Sequence, residues 1–246
     1  MRFSHFVLKT RDLSRVGGTL HFRSALSNLS TSKSPLIAND ILDKCQHAFI
    51  QRMVKLSSRQ QVLNERATLA GVLVPFCKVN GKPSILFTKR SHKIVRNKSD
   101  VCFPGGKMDK DVDKNVVETA LRETVEEIGV SKSDIHVWIQ IRPIIATNDA
   151  AINIVPVFGF IQNLDISKLI IDHNEVTSVF TATLEDLCDP NRHAYTKFRN
   201  GSVLPLFFQE PYKIWGFTAV ILDLCLSNLL PNIYFPRFIP KKPKGI

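Results

Sequence analysis

FPGGKMDKDVDKNVVETALRETVEEIGV, Phe103 to Val130, crowds acids where an ordinary helix avoids them. The pattern predicts a helix over Asn115 to Ile128, which puts Glu123, Glu126 and Glu127 in its last two turns, just before Gly129. Gly is the residue that most easily adopts the left-handed C′ conformation, so the negative end of the helix dipole lies beside three carboxylates. Glu123 also stands i,i+3 and i,i+4 from Glu126 and Glu127, a spacing at which like charges repel by some tenths of a kcal/mol per pair. A divalent cation removes that penalty. Glu118, Arg122 and Glu126 at i,i+4 spacing equally fit a salt-bridged solvent face. The flank favours the cation: Pro104, Gly105 and Gly106 form a tight loop at which backbone can approach a ligand. Mg²⁺ takes oxygen ligands and completes its shell with waters and substrate phosphates, so the site asks for a phosphorylated substrate.

Outward from this stretch, the chain of 246 residues is 44% apolar, enough for a substantial core in one domain with terminal segments. The net charge of +11 is concentrated at the ends. Residues 1–34 hold Arg2, Lys9, Arg11, Arg15, Arg23 and Lys33 against Asp12 alone, and residues 237–246 hold Arg237, Lys241, Lys242 and Lys244 with no acid. The body between them carries too little net charge to read as a nucleic-acid binder. Ser24, Ser27, Ser30, Thr31, Ser32 and Ser34 cluster in the basic, acid-poor leader, the composition of a mitochondrial transit peptide; a disordered basic arm has the same composition. No apolar run reaches the roughly 20 residues needed to span a bilayer. Ile214 to Leu230 comes nearest, but Asp223 and Asn228 interrupt it, which predicts a buried helix. Cys45, Cys77, Cys102, Cys188 and Cys225 form no CxxC pair and read as reduced packing residues, and the histidines show no metal-ligand spacing.

Apolar periodicity predicts an N-terminal amphipathic helix over Ile37 to Met53, with Ile41, Cys45, Ala48, Phe49 and Arg52 at helical spacing. Strands are expected at Leu69 to Phe76 and Ser84 to Thr88, joined through the hairpin signal Asn80-Gly81, then at Trp138 to Ile141, Ile152 to Ile161 and Val203 to Phe208. Thr183 is placed to cap a short helix at Leu184 to Cys188, and a long helix is expected over Gly216 to Leu230. Strand pairing stays open.

The run Arg122-Glu123-Thr124-Val125-Glu126-Glu127-Ile128-Gly129-Val130 resembles the second half of the Nudix box, REUxEExGU, with Thr124 in place of an apolar residue. Lys114 stands where the first half of the box has an acid, and Asp109, Asp111 or Asp113 is the substitute. The longer box, FPGGK with Asp109 and then Thr119-Ala120-Leu121-Arg122-Glu123, is similar to that of the family's coenzyme A diphosphatase branch. An upstream element resembling that branch's LLTxRS runs from Leu86 to Ser91 and continues through Arg96 and Lys98, with Val95 where a basic residue is often found and Ser99 near where the branch has Gly. Further matches at His136 to Trp138, Asn174 to Val176 and Trp215 to Ala219 extend the resemblance over roughly residues 65–232, nearest to the branch's mitochondrial member.

The resemblance implies an α/β fold, a Nudix-type α/β/α sandwich with a mixed β-sheet between helices. It divides the chain into a leader (1–34), a helical segment (35–64), the hydrolase domain (65–232) and a basic tail (233–246). It implies a Mg²⁺- or Mn²⁺-dependent hydrolase that splits coenzyme A, or its acyl or oxidised forms, to adenosine 3′,5′-bisphosphate and (acyl-)4′-phosphopantetheine in the mitochondrial matrix. Glu123 and Glu127 are then the principal metal ligands, with Glu126 a third ligand or the base that orients water, and Glu175 a more distant candidate acid. Arg122 holds a box Glu in place. Arg90, Arg96, Lys98, Gly105, Gly106 and Lys107 form the substrate side, the basic run from Lys89 to Lys98 being the expected reader of the 3′-phosphate. The expected partner is a small molecule, with no obligate nucleic acid and no transmembrane segment. A nucleoside triphosphate, a dinucleotide cofactor or capped RNA is the alternative substrate, and a non-catalytic Nudix-fold binding module the alternative class.

Overall fold

The computed structural model describes residues 37–58, 67–94, 98–145, 152–198 and 203–236. The leader at 1–34, Arg96 and residues 237–246 of the basic tail lie outside the described residues.

Strand β1 (Thr68–Val79) lies at the centre of an eight-stranded mixed sheet. Asn80 (φ 51°) and Gly81 (φ 76°) turn it into β2 (Lys82–Arg90), with Val79 opposite Lys82. A two-residue turn with both centres at positive φ is what an Asn-Gly pair favours. On its other edge β1 pairs in parallel with β7 (Ile152–Ile161), which carries β5 (Ile135–Gln140) and β6 (Ile144–Ile145) antiparallel to it. Beyond β2 lies β8 (Val176–Thr183). Beyond the hairpin β1 and β2 part, and the FPGG segment fills the gap: β3 (Val101–Cys102) pairs with β2, and β4 (Gly105–Lys107) pairs with β1.

Side-chain alternation along the strands sorts the core to two faces. Leu73 and Cys77 of β1, Leu86 of β2 and Val157 of β7 meet α2 (Val116–Ile128) through Ala120, Leu121 and Ile128. Val74, Phe76, Ile85, Phe87 and Phe158 face the other way, toward α1 (Ile41–Ser57) and α4 (Gly216–Leu229). Helices on both faces of a mixed sheet give the α/β/α sandwich that the sequence led us to expect. The buried stripe of α1 is Leu42, Phe49 and Met53, rotated from the expected one; Arg52 lies on the exposed side and donates to the Asn228 carbonyl of α4 at 2.8 Å. Phe49 packs edge-on to Phe76 and Phe158, which holds α1 over the sheet.

Thr183 caps α3 (Leu184–Cys188), accepting from the Asp186 N–H as its position suggested. Six strands among the described residues went unforeseen: the two- and three-residue β3, β4 and β6, and β8, β9 (His193–Lys197) and β11 (Tyr212–Ile214). The last two flank β10 (Val203–Gln209) in a small antiparallel sheet. Their short, mixed-polarity sequences carry little periodic signal, whereas β8 reads VTSVFTAT, rich in the β-branched residues that favour strands.

Candidate metal and diphosphate site

Helix α2 begins at Asn115, whose side chain accepts from the Val117 and Glu118 N–H groups, and ends at Gly129 in the left-handed conformation (φ 70°, ψ 18°). It sits unusually close to β1 because Gly71 has no side chain: a Cβ there would run into the Val116 carbonyl. The same closeness brings the last turns of α2 against β4. Gly105 (φ 147°) donates its N–H to Glu127 Oε2 at 3.3 Å, and a Cβ on Gly106 would collide with the Glu123 carboxyl. The double glycine is therefore a steric requirement of the helix it faces.

Glu127 is buried and Glu123 nearly so. A third carboxylate arrives from the turn before β8. Ser91 donates its N–H to the Glu175 carbonyl at 2.8 Å and its hydroxyl to the His173 carbonyl, and the Asp172 N–H donates to the Glu127 carbonyl at 3.0 Å. These ties bring carboxylate oxygens of Glu123, Glu127 and Glu175 within 4.8 Å of one another. Burial pushes the Glu127 carboxyl up to about 8, a rise that nearby Glu123 and Glu175 add to and that Arg90 and the Gly105 N–H oppose. Glu123 is also raised, by burial first, with Arg122 pulling against it. Three close acids with hard oxygen donors, Glu127 buried, Glu123 nearly so and Glu175 exposed, are the donor set that a divalent cation of the Mg²⁺ or Mn²⁺ kind prefers.

Glu126 lies apart from this cluster. It is over half exposed and accepts from Arg122 Nη1 at 2.8 Å, the same nitrogen that lies 2.9 Å from Glu123 Oε1. The other side of the Arg122 fork is taken by Asp113, through Nε at 2.8 Å and Nη2 at 2.9 Å. Asp113 is itself buried and accepts from the Thr119 hydroxyl at 2.9 Å and the Asp109 N–H at 3.0 Å. The Arg122 guanidinium holds that carboxyl far below the usual carboxylate range. Of the three aspartates that the sequence left open, Asp113 is the one bonded to Arg122. Asp109 instead bonds the Asp111 N–H and turns the loop. Nothing in the sequence separated them, because the choice depends on the path of the loop between β4 and α2.

On the expected substrate side the residues divide. Gly105 and Gly106 are at the carboxylates, and Lys107 and Lys98 are exposed. Arg90 is only partly exposed, acts electrostatically on Glu127, Asp100 and Cys102, and leaves a buried Nε without a hydrogen-bond partner. Its charge thus serves the carboxylate side of the loop. Ser99 has φ 60°, the left-handed region where glycine is favoured, which accounts physically for a Gly near this place in the resembling branch. Cys102 bonds Thr88 and its thiol is pushed up to about 11 by burial, so it is a packing residue.

A model of the NUDIX domain matches residues 67–205. The chain is 41% identical to mitochondrial coenzyme A diphosphatase NUDT8 of Mus musculus, over 79% of this chain and 95% of that protein. It is 42% identical to the Homo sapiens protein of the same name, over 71% of this chain and 75% of the relative. The peroxisomal coenzyme A diphosphatase NUDT7 of Mus musculus is 39% identical, over 65% and 71% respectively.

Proposed function

This chain belongs to the Nudix family, and on that premise we propose that it hydrolyses the diphosphate of coenzyme A and of its acyl or oxidised derivatives. Water enters at the diphosphate, and adenosine 3′,5′-bisphosphate and (acyl-)4′-phosphopantetheine leave. The likeness to coenzyme A diphosphatases along nearly the whole of one relative carries the substrate. The carboxylate cluster against the double-glycine loop supports the chemistry.

Glu123, Glu127 and Glu175 hold the divalent cation, Mg²⁺ or Mn²⁺. When bound, such an ion neutralises charge on the diphosphate oxygens and lowers the pKa of coordinated water. Arg122, locked on one side by Asp113, steadies Glu123 on the other. Glu126, first expected as a ligand or base, takes the role of a further anchor for Arg122. Gly105 aims a backbone N–H at Glu127 and keeps that carboxylate turned inward. Arg90, with a spare buried donor beside Glu127, is placed to meet an anionic diphosphate oxygen.

The enzyme works in mitochondria, in the matrix, delivered there by residues 1–34; the basic, Ser-rich, acid-poor leader and the mitochondrial relatives support this. Within the 35–64 segment α1 (Ile41–Ser57) packs on the hydrolase domain (65–232), ahead of the tail (233–246). A fluorescent reporter fused behind residues 1–40 that stayed cytosolic would refute the targeting. The substrate is tested by mass spectrometry of products after incubation with coenzyme A and Mg²⁺ or Mn²⁺. The two half-molecules are expected; cleavage of nucleoside triphosphates, dinucleotides or capped RNA with coenzyme A left intact would overturn the reading.

A further inference from the structure

An open cleft of about 380 Å³ separates the β2–β3 edge of the main sheet from β11 of the small one. It is large enough for part of an organic ligand. Lys89 and Lys213 bring two ammonium groups to its walls, Ser99 a hydroxyl, and Tyr212 and Trp215 aromatic rings, and no acid lines it among the described residues. The rings are fixed in place. Tyr212 stacks on Phe180 at 4.1 Å between centroids, with Lys89 Nζ 5.7 Å from the Tyr212 centroid. Trp215 acts on the Asp100 carboxyl, opposing the rise that burial causes there. Rigid aromatic walls with two cations suit a planar ring that carries a phosphate.

The cleft is tied to the carboxylate cluster by neighbouring residues. Arg90 donates its N–H to the Asp100 carbonyl at 2.9 Å, and its guanidinium acts on both Asp100 and Glu127. A β-bulge falls between Lys89, which lines the cleft, and Arg90, whose charge reaches Glu127. A molecule seated in the cleft lies one residue along β2 from Arg90, whose charge acts on the carboxylates. Granting the coenzyme A reading above, on which this rests, we infer that the cleft seats the adenosine 3′-phosphate end of the substrate, with the base against Tyr212 and Trp215 and the 3′-phosphate on Lys89 and Lys213. This moves the 3′-phosphate contact away from Arg90, whose charge is spent on the diphosphate.

The test uses the full chain and Lys89→Met, Lys213→Ala and the double variant, with Lys213→Arg as the charge-keeping control and thermal midpoints to verify folding. Calorimetry in chelator reads binding of adenosine 3′,5′-bisphosphate, and kinetics read kcat/KM on coenzyme A and dephospho-coenzyme A. Each lost ammonium is expected to weaken bisphosphate binding about tenfold and to lower the preference for coenzyme A over its dephospho form by a similar factor, with Lys213→Arg retaining both. Unchanged bisphosphate binding and an unchanged preference would overturn the assignment. So would a loss confined to acyl-coenzyme A relative to free coenzyme A, which would put the acyl arm in the cleft. Lysine-dependent bisphosphate binding by a wild-type protein that leaves coenzyme A intact would support the cleft and sink the coenzyme A reading alone.

Discussion

Replacing Glu127 with Gln should make the metal-free protein more stable and the enzyme nearly inactive. Glu127 is 2% exposed, and burial raises its carboxyl from an ordinary 4.5 to about 8. A carboxyl with a raised folded-state pKa stabilises the fold fully below its unfolded value and loses that contribution as pH climbs through the folded one. Between pH 4.5 and 8 the metal-free wild type should thus lose stability that the neutral amide keeps, on the order of a few kcal/mol at pH 9. The amide oxygen can still accept from the Gly105 N–H, so the substitution removes charge with little change in packing. For a domain of this size a few kcal/mol corresponds to roughly 5–10 °C in melting temperature. Thermal unfolding in chelator should show matching midpoints at pH 5 and a higher midpoint for Glu127→Gln at pH 9. Saturating Mg²⁺ should close much of that gap, since a cation present at about 100 times its Kd stabilises the wild type by about 2.7 kcal/mol and finds a depleted site in the variant. Turnover should fall by orders of magnitude. Equal midpoints at pH 9 in chelator, or a wild type whose midpoint ignores the cation, would refute the electrostatic account; retained turnover would refute the metal role.

Asp113→Asn leaves one side of the Arg122 fork without its anion and should cost about 1–3 kcal/mol of stability, with kcat reduced roughly ten- to a hundredfold as Glu123 loses its brace. A normal kcat in a folded Asp113→Asn protein would remove Asp113 from the positioning network. Because the Asp113 carboxyl is depressed, the stability it supplies is present above the usual aspartate range and disappears as pH falls below it, so the difference between wild type and variant should shrink in acid. Gly106→Ala should displace Glu123 and abolish most activity while secondary structure by circular dichroism persists; full activity would show that β4 yields easily. Ser99→Gly relieves an unfavourable φ of 60° and should raise stability by up to about 1 kcal/mol in denaturant titration, whereas a clear loss would mean that the hydroxyl is bonded in solution.

The elements that the sequence settled by itself are those whose signals are local. The Asn80-Gly81 turn follows from backbone sterics at two residues, and the α2 boundaries follow from an Asn cap and a left-handed Gly, so both are readable within a few positions. The crowding of Glu123, Glu126 and Glu127 on one helix end likewise announces a cation in the linear text. Tertiary structure decided what depends on elements far apart in the chain. Glu175 joins Glu123 and Glu127 only because Ser91 pins its turn and Asp172 ties it to the end of α2. Arg122 bonds Asp113 and not Asp109 or Asp111, and Glu126 lies outside the three-carboxylate cluster, because α2, held close to β1 by Gly71, fixes which way the Arg122 fork opens. The surroundings of Arg90, which the sequence put on the substrate side, were hidden for the same reason: its neighbours Glu127 and Asp100 are brought to it by the parting of β1 and β2 around the FPGG loop. Local sterics and periodicity act over a few residues and leave a mark in sequence, whereas carboxylate proximity and cation placement are set by non-local pairing that no short pattern encodes.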